Sequence, residues 1–214
     1  MVTVDRSVCY RQHMSTEALA AASAAKIAAS KMSARERLLA AANELFYEEG
    51  VHSVGIDRVI ERAGVAKASL YNTFGSKEEL VKAYLAARHE SRRERMERSL
   101  ARYDTPRERL LGVFDVLGEL YGPSYRGCAF LNASAEAHGA GVDEACDNYR
   151  GWVRGLFTDL ARAAGVRDPE SLAARLVLLY DGTGVSARMD RDPSAAGTAK
   201  SVAAVLLDAA VGDG

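Results

Sequence analysis

Between Gly64 and Gly75 the sequence gathers side chains that are small or that donate and accept hydrogen bonds: Lys67, Ala68, Ser69, Tyr71 and Asn72, with Lys77 just beyond. Helical spacing turns Val65 and Leu70 inward as core plugs and leaves Ala68, Ser69, Tyr71 and Asn72 outside. A short exposed helix that begins with small residues is narrow enough for the major groove of DNA, which is about 12 Å wide and admits one helix. The chemistry expected of this segment is recognition by hydrogen bonding, with no bond made or broken.

Covalent chemistry finds little support. There is no G-x-S-x-G elbow, no phosphate-cradling glycine loop and no grouping of His, Asp and Ser, so a helical enzyme or carrier is the weaker class. Cys9, Cys128 and Cys146, with His138, match no common zinc spacing, and an odd number of cysteines argues against a disulfide framework. They read as reduced thiols; no metal and no cofactor are expected. One alternative keeps the DNA-reading helix and makes Cys128 and Cys146 a redox sensor.

The elements that must position the exposed helix are legible. Ser33 with Glu36 three residues later is a capping box, and Leu38, Leu39, Ala42, Leu45 and Phe46 form an apolar stripe that should end at Gly50. A second helix is predicted over Ile56 to Ala63, stopped by Gly64 in a position suited to positive φ. The third runs from Lys67 to Phe74. Ser76 caps a fourth, with Glu78 and Glu79 in its first turn and Leu80, Val81, Tyr84 and Leu85 facing inward. Two short helices joined by a glycine turn, the second rich in small polar residues, form a helix-turn-helix.

The stretch from Ile56 to Leu80, IDRVIERAGVAKASLYNTFGSKEEL, resembles the DNA-binding signature of the TetR family of regulators, and the resemblance extends over about fifty residues, Met32 to Tyr84. The turn glycine, core valine, Leu-Tyr pair, phenylalanine and Ser-Lys stand in the spacing of that family. Val54 and Gly55 stand where the family often has a Thr pair, while Ala66 and Ala68 replace a common serine and glycine. The resemblance implies that Lys67, Tyr71 and Lys77 contact phosphates and that Ala68, Ser69 and Asn72 face base edges. It also implies a double-stranded operator as partner, a homodimer, and a small-molecule effector held among the central helices.

The expected fold is all-α, with about nine helices in three parts: a flexible tail over residues 1–31, a helix-turn-helix unit over 32–84, and a ligand-binding and dimerisation domain over 85–214. Dense charges of mixed sign from Arg88 to Arg109 predict an exposed continuation of the fourth helix, broken at Asp104, Thr105 and Pro106. Later helices are expected near Leu110 to Tyr121, Cys128 to His138, Val142 to Ala164, Pro169 to Met189 and Ser194 to Val211. Candidate cavity walls are Phe114, Leu117, Tyr121, Phe130, Trp152 and Tyr180, with Leu131, Leu156 and Met189; Asn132 and Glu136, spaced i,i+4, would orient a polar group there. The implied dimer seam uses Leu172, Leu176 and Leu179 on one helix, and Val202, Val205, Leu206 and Ala209 on the next. Gly182 and Gly184 suggest either a kink or a close crossing.

Bulk properties set the frame. A chain of 214 residues with 48% hydrophobic composition can build a sizeable core. No clean apolar run approaches the roughly 18 residues of a bilayer span. A membrane partner is not expected, and the start lacks the order of a secretory signal, so the expected location is cytoplasmic. The net charge of −1 gives no general attraction to nucleic acid, so DNA binding must depend on where charges are placed.

Overall fold

A computed structural model describes residues 32–137 and 139–212. The predicted tail, Cys9 and His138 lie outside the described residues. Among those described there are nine α-helices and no strand: α1 (Ala34–Glu49), α2 (Ile56–Ala63), α3 (Lys67–Phe74), α4 (Lys77–Leu100), α5 (Pro106–Gly118), α6 (Ala129–Glu136), α7 (Ala140–Ala163), α8 (Pro169–Met189) and α9 (Ala195–Gly212).

Helix starts are set by local chemistry. At α1 the Glu36 amide donates to Ser33 Oγ at 3.2 Å while the Ser33 amide donates to Glu36 Oε2 at 2.7 Å. The same reciprocal pair opens α5, from Thr105 and Glu108, with Pro106 at the first helical position. Each such box satisfies two amides that a helix start otherwise leaves without partners. By contrast α2 and α3 start at Gly55 and Ala66 with no side-chain cap.

Helices α1 to α3 pack on the first turns of α4 around Leu38, Ala42, Val54, Val59, Leu70 and Leu80, all at 0% exposure. This cluster continues without a break into the larger bundle of α4 to α9. Helix α4 passes through residue 84, the expected boundary, with its hydrogen-bonded ladder intact. In the bundle, α5 presents Leu110, Val113, Phe114 and Val116 to α7 and α9. Helix α5 ends at Gly118, short of the predicted Tyr121, and Tyr121 lies in the turns that follow.

Three expectations are corrected here. Leu172 and Leu176, predicted at a dimer seam, are 1% and 0% exposed and belong to their own subunit's core. Helix α8 is apolar on more than one face, so periodicity alone could not say which face turns inward. Phe114 is likewise core, 5.9 Å from the Phe157 ring. Helix α9 has the length and mean hydropathy, 1.3, that a span requires, contrary to the expectation that nothing approached it. It nevertheless carries Lys200 and Asp208, paired with Asp115 at 2.6 Å and Arg107 at 2.8 Å on α5. A buried alanine face, Ala196, Ala199 and Ala203, lets it approach closely.

Candidate nucleic-acid interface and ligand cavity

The turn between α2 and α3 is built on Gly64, whose φ of 62° and ψ of 44° are left-handed, a conformation in which a Cβ is penalised. Arg37, from α1, donates to the Gly64 carbonyl at 3.2 Å and braces the turn. Arg62 pairs with Glu44 at 2.7 Å, and Arg58 with Glu49, tying α2 back to α1. So fixed, α3 buries Leu70 completely, and Val65 in the turn before it is half-buried. Ala68, Asn72 and Thr73 are exposed, Tyr71 is 47% exposed, and Ser69 is partly covered.

Two lysines frame this surface. Lys67 pairs with Asp57 at 2.8 Å, and that hydrogen bond holds its ammonium above the usual range. Both partners are well exposed, so the pair is weak and easily exchanged for a phosphate. Lys77 sits half-buried at the start of α4, behind Ser76, whose Oγ accepts from the Glu79 amide at 3.2 Å. All six residues predicted for DNA contact therefore lie on or beside one short helix, and none is enclosed in the core.

A cavity of about 510 Å³ opens among α4, α6, α7, α8 and the segment after α5. Of the predicted wall, Leu117, Tyr121, Phe130, Asn132 and Tyr180 line it, as do Leu131 and Met189; Phe114, Trp152 and Glu136 do not. Trp152 instead packs behind the wall against Tyr149, ring centroids 5.8 Å apart. Phe130 stacks on Tyr149 at 3.9 Å, and the Tyr149 and Tyr180 hydroxyls are 2.8 Å apart. Helix α8 runs unbroken through Gly182 and Gly184. A Cβ at Gly182 would meet nothing within 4 Å, and Gly184 makes room not for a crossing helix but for the Tyr125 hydroxyl of the segment after α5, which a Cβ would meet at 2.9 Å.

Arg92 is among the cavity residues that sequence reasoning missed, with Tyr125, Tyr149 and Arg150. It belongs to the charged run read as a solvated continuation of α4, yet it lines the cavity. Burial raises the pKa values of Tyr121, Tyr125, Tyr149 and Tyr180, and the positive charge of Arg92 offsets part of that effect at each. These phenols are therefore neutral donors at ordinary pH. Cys128 and Cys146 are free thiols on the same wall. The Cys146 thiol donates to the Phe130 carbonyl at 3.5 Å, and burial pushes its pKa up. Since the thiolate is the reactive form, this gives the redox alternative no advantage.

The cavity wall touches the DNA-binding unit directly. Tyr47, on α1, donates through its hydroxyl to the Gly127 carbonyl and accepts from the Arg126 amide at 3.1 Å. The Arg88 guanidinium lies 3.8 Å from the Tyr47 ring centroid and donates to Asn43 Oδ1 at 2.8 Å. Glu136 was expected to face the cavity beside Asn132. The two diverge: Asn132 donates to the Arg126 carbonyl at 3.0 Å, while Glu136 accepts from the His52 amide at 3.2 Å. Gly50, with φ of 93°, gives Glu136 room, because a Cβ there would come within 2.5 Å of its carboxylate.

The profile of a family described as bacterial regulatory proteins, tetR family, matches residues 38–84. The HTH-type transcriptional activator FasR of Mycolicibacterium smegmatis is 49% identical over 51 residues, which are 24% of this chain and 23% of FasR. This chain thus matches about a quarter of that relative's length. Whole-chain likeness comes from solved structures. SCO4454, a TetR-family transcriptional regulator from Streptomyces coelicolor, is 33% identical with a TM-score of 0.76, over 83% of this chain and 96% of that one. A TetR-type regulator from Streptomyces avermitilis, sav143, is 32% identical with a TM-score of 0.70, over 84% and 98%.

Proposed function

Because the chain belongs to the TetR family of DNA-binding transcriptional regulators, we propose that it is a ligand-responsive repressor. It binds a palindromic operator as a homodimer in the cytoplasm and releases it when a small amphipathic effector occupies the central cavity. The observation that carries this reading is the shared wall: the Arg126–Gly127 turn and α6 border the cavity on one side and hold Tyr47 and His52 of the DNA-binding unit on the other. An effector that favours a different arrangement of this wall changes operator affinity by that difference in its own affinity.

The proposed division of labour on α3 assigns Lys67, Tyr71 and Lys77 to phosphates, and Ala68, Ser69 and Asn72 to base edges. Their exposure supports it. The dimer face we assign to α8 and α9 differs in part from the expected one. Ala174, Leu178, Gly182 and Val185 on α8, and Val202, Val205 and Ala209 on α9, are exposed at spacings of three and four. Leu178 is 74% and Val205 69% exposed. Leu179 and Leu206 are only partly covered and flank this stripe. A two-fold pairing along it sets two α3 helices at one separation, which a palindrome with half-sites about 34 Å apart requires.

The test is selection of binding sites from random duplex DNA by the full chain. Inverted repeats bound by a particle of twice the chain mass, with affinity falling steeply as salt rises, are expected. Selection of direct or single sites by a monomer would overturn the dimeric reading. Placing the selected site inside and upstream of a promoter then reads repression against activation, the sign carried in the name of FasR.

A further inference from the structure

We propose that the cavity is selective for monoanionic organic acids, and that Arg92 receives their carboxylate. This rests on the effector-binding reading above and gives that effector a chemical class. Arg92 lines the cavity, and among the described residues it has no hydrogen bond and no ion pair. The only carboxylate on the wall among the described residues, Asp181, is already committed to Arg150 at 2.6 Å. The polar groups nearest in kind are neutral phenols: Tyr121 and Tyr125 can each donate, and of Tyr149 and Tyr180, which share a hydrogen bond at 2.8 Å, one hydroxyl proton is left to donate.

A buried guanidinium is always charged, and protein interiors pair such charges. Here the described residues supply no partner, so the counter-charge is left to what enters. The fork of a guanidinium matches the two oxygens of a carboxylate, and the surrounding phenols can donate to the remaining lone pairs. Arg188 also lines the cavity without an ion pair among the described residues, but it is exposed to solvent. Arg92 is the one partly buried cation on the wall left unpaired among those residues, and it argues for one negative charge beside it. A phosphomonoester would bring about two charges at pH 7, leaving an excess in a desolvated place. Leu117, Leu131, Val185 and Met189, with the Phe130 ring, provide the apolar surface for the rest of the ligand. A quaternary ammonium, the usual guest of aromatic cages, is disfavoured by the same unpaired guanidinium.

The experiment compares acids with their isosteric neutral amides on the full chain by calorimetry and thermal shift: benzoate with benzamide, 2-naphthoate with 2-naphthamide, and decanoate with decanamide. For at least one pair the acid should bind ~10- to 100-fold more tightly, as expected for a hydrogen bond to a charged group. The preference should vanish in Arg92→Gln and survive in reduced form in Arg92→Lys. Equal binding of acid and amide, no acid bound in any pair, or a preference that persists in Arg92→Gln would overturn the proposal. The wild-type comparison stands even if a variant fails to fold. Acid binding that depends on Arg92 but leaves operator affinity unchanged would keep this inference and defeat the effector reading instead.

Discussion

The hydroxyl of Tyr47 donates to the carbonyl of Gly127 at 3.2 Å, joining residues eighty apart in sequence. One partner belongs to the first helix of the DNA-binding unit and the other to the cavity wall. Through the return bond from the Arg126 amide, a single phenol clamps both faces of one turn.

Tyr47→Phe removes both hydrogen bonds and keeps the ring beneath Arg88. The expected loss is about 1–2 kcal/mol of stability, read by urea unfolding, with helicity unchanged. An unaltered unfolding midpoint would mean that water replaces the hydroxyl at no cost.

Gly50→Ala should destabilise by ~1–3 kcal/mol, combining strain at positive φ with the collision against Glu136. Adding Glu136→Ala relieves the collision but not the backbone strain. The double variant should therefore be more stable than the sum of the two single effects predicts. Simple additivity in a double-mutant cycle would deny the contact its role.

On α3, Tyr71→Ala and Lys77→Ala should weaken binding to every duplex alike, Lys77→Ala reducing the salt slope by about 1. Asn72→Ala should instead change the preferred base at one position, by ~1–3 kcal/mol of discrimination. Gel-shift titrations on a randomised operator set separate the two patterns.

Leu178→Glu and Val205→Glu should each shift the particle to monomers in sedimentation while leaving the far-ultraviolet spectrum intact, since both side chains are exposed in the subunit. Leu172→Glu and Leu176→Glu should unfold the chain, because a carboxylate would be buried without a partner. The reverse outcome would return the seam to the first pair.

His89 supplies a pH dependence. Its ring stands edge-on to Tyr149 at 5.8 Å and Phe130 at 6.4 Å, and its Nε2 is buried without a hydrogen-bond partner. Burial lowers its pKa from 6.5; the nearby Glu90 opposes this and Arg93 adds to it. The unfolded chain thus binds the proton first as pH falls. Stability from this residue is complete above the ordinary value and declines from there until the folded imidazole also charges. His89→Phe should flatten urea midpoints measured between about pH 7.5 and 5.

The DNA-binding unit was legible because its signals are local. Ser33 with Glu36, the left-handed Gly64 and the buried Leu70 each depend on residues a turn or two away. The cavity was legible only as an apolar, aromatic set, and its polar members were not. Arg92 looked like one more charge in a solvated run, because nothing within a turn of it reveals that Tyr149 and Tyr180 lie opposite. Glu136 shares a helical face with Asn132, yet the left-handed turn at Gly50 creates a receptor for it across eighty-four residues from His52. For α8 the period marked apolar residues correctly but could not assign Leu172 inward and Leu178 outward, since that choice is made by α7 and α9.

Helix α4 is one continuous helix of 24 residues, or roughly 36 Å at 1.5 Å per residue. Arg92 and Lys77 are fifteen positions apart along it, about 22 Å on the same scale. A tilt of about 5° pivoting near Arg92 carries Lys77 sideways by roughly 2 Å over that length. Hydrogen bonds to phosphate tolerate only a few tenths of an ångström. Under the proposed function, such a lever arm would convert a shift too small to disturb core packing into one that a double helix of fixed pitch cannot follow.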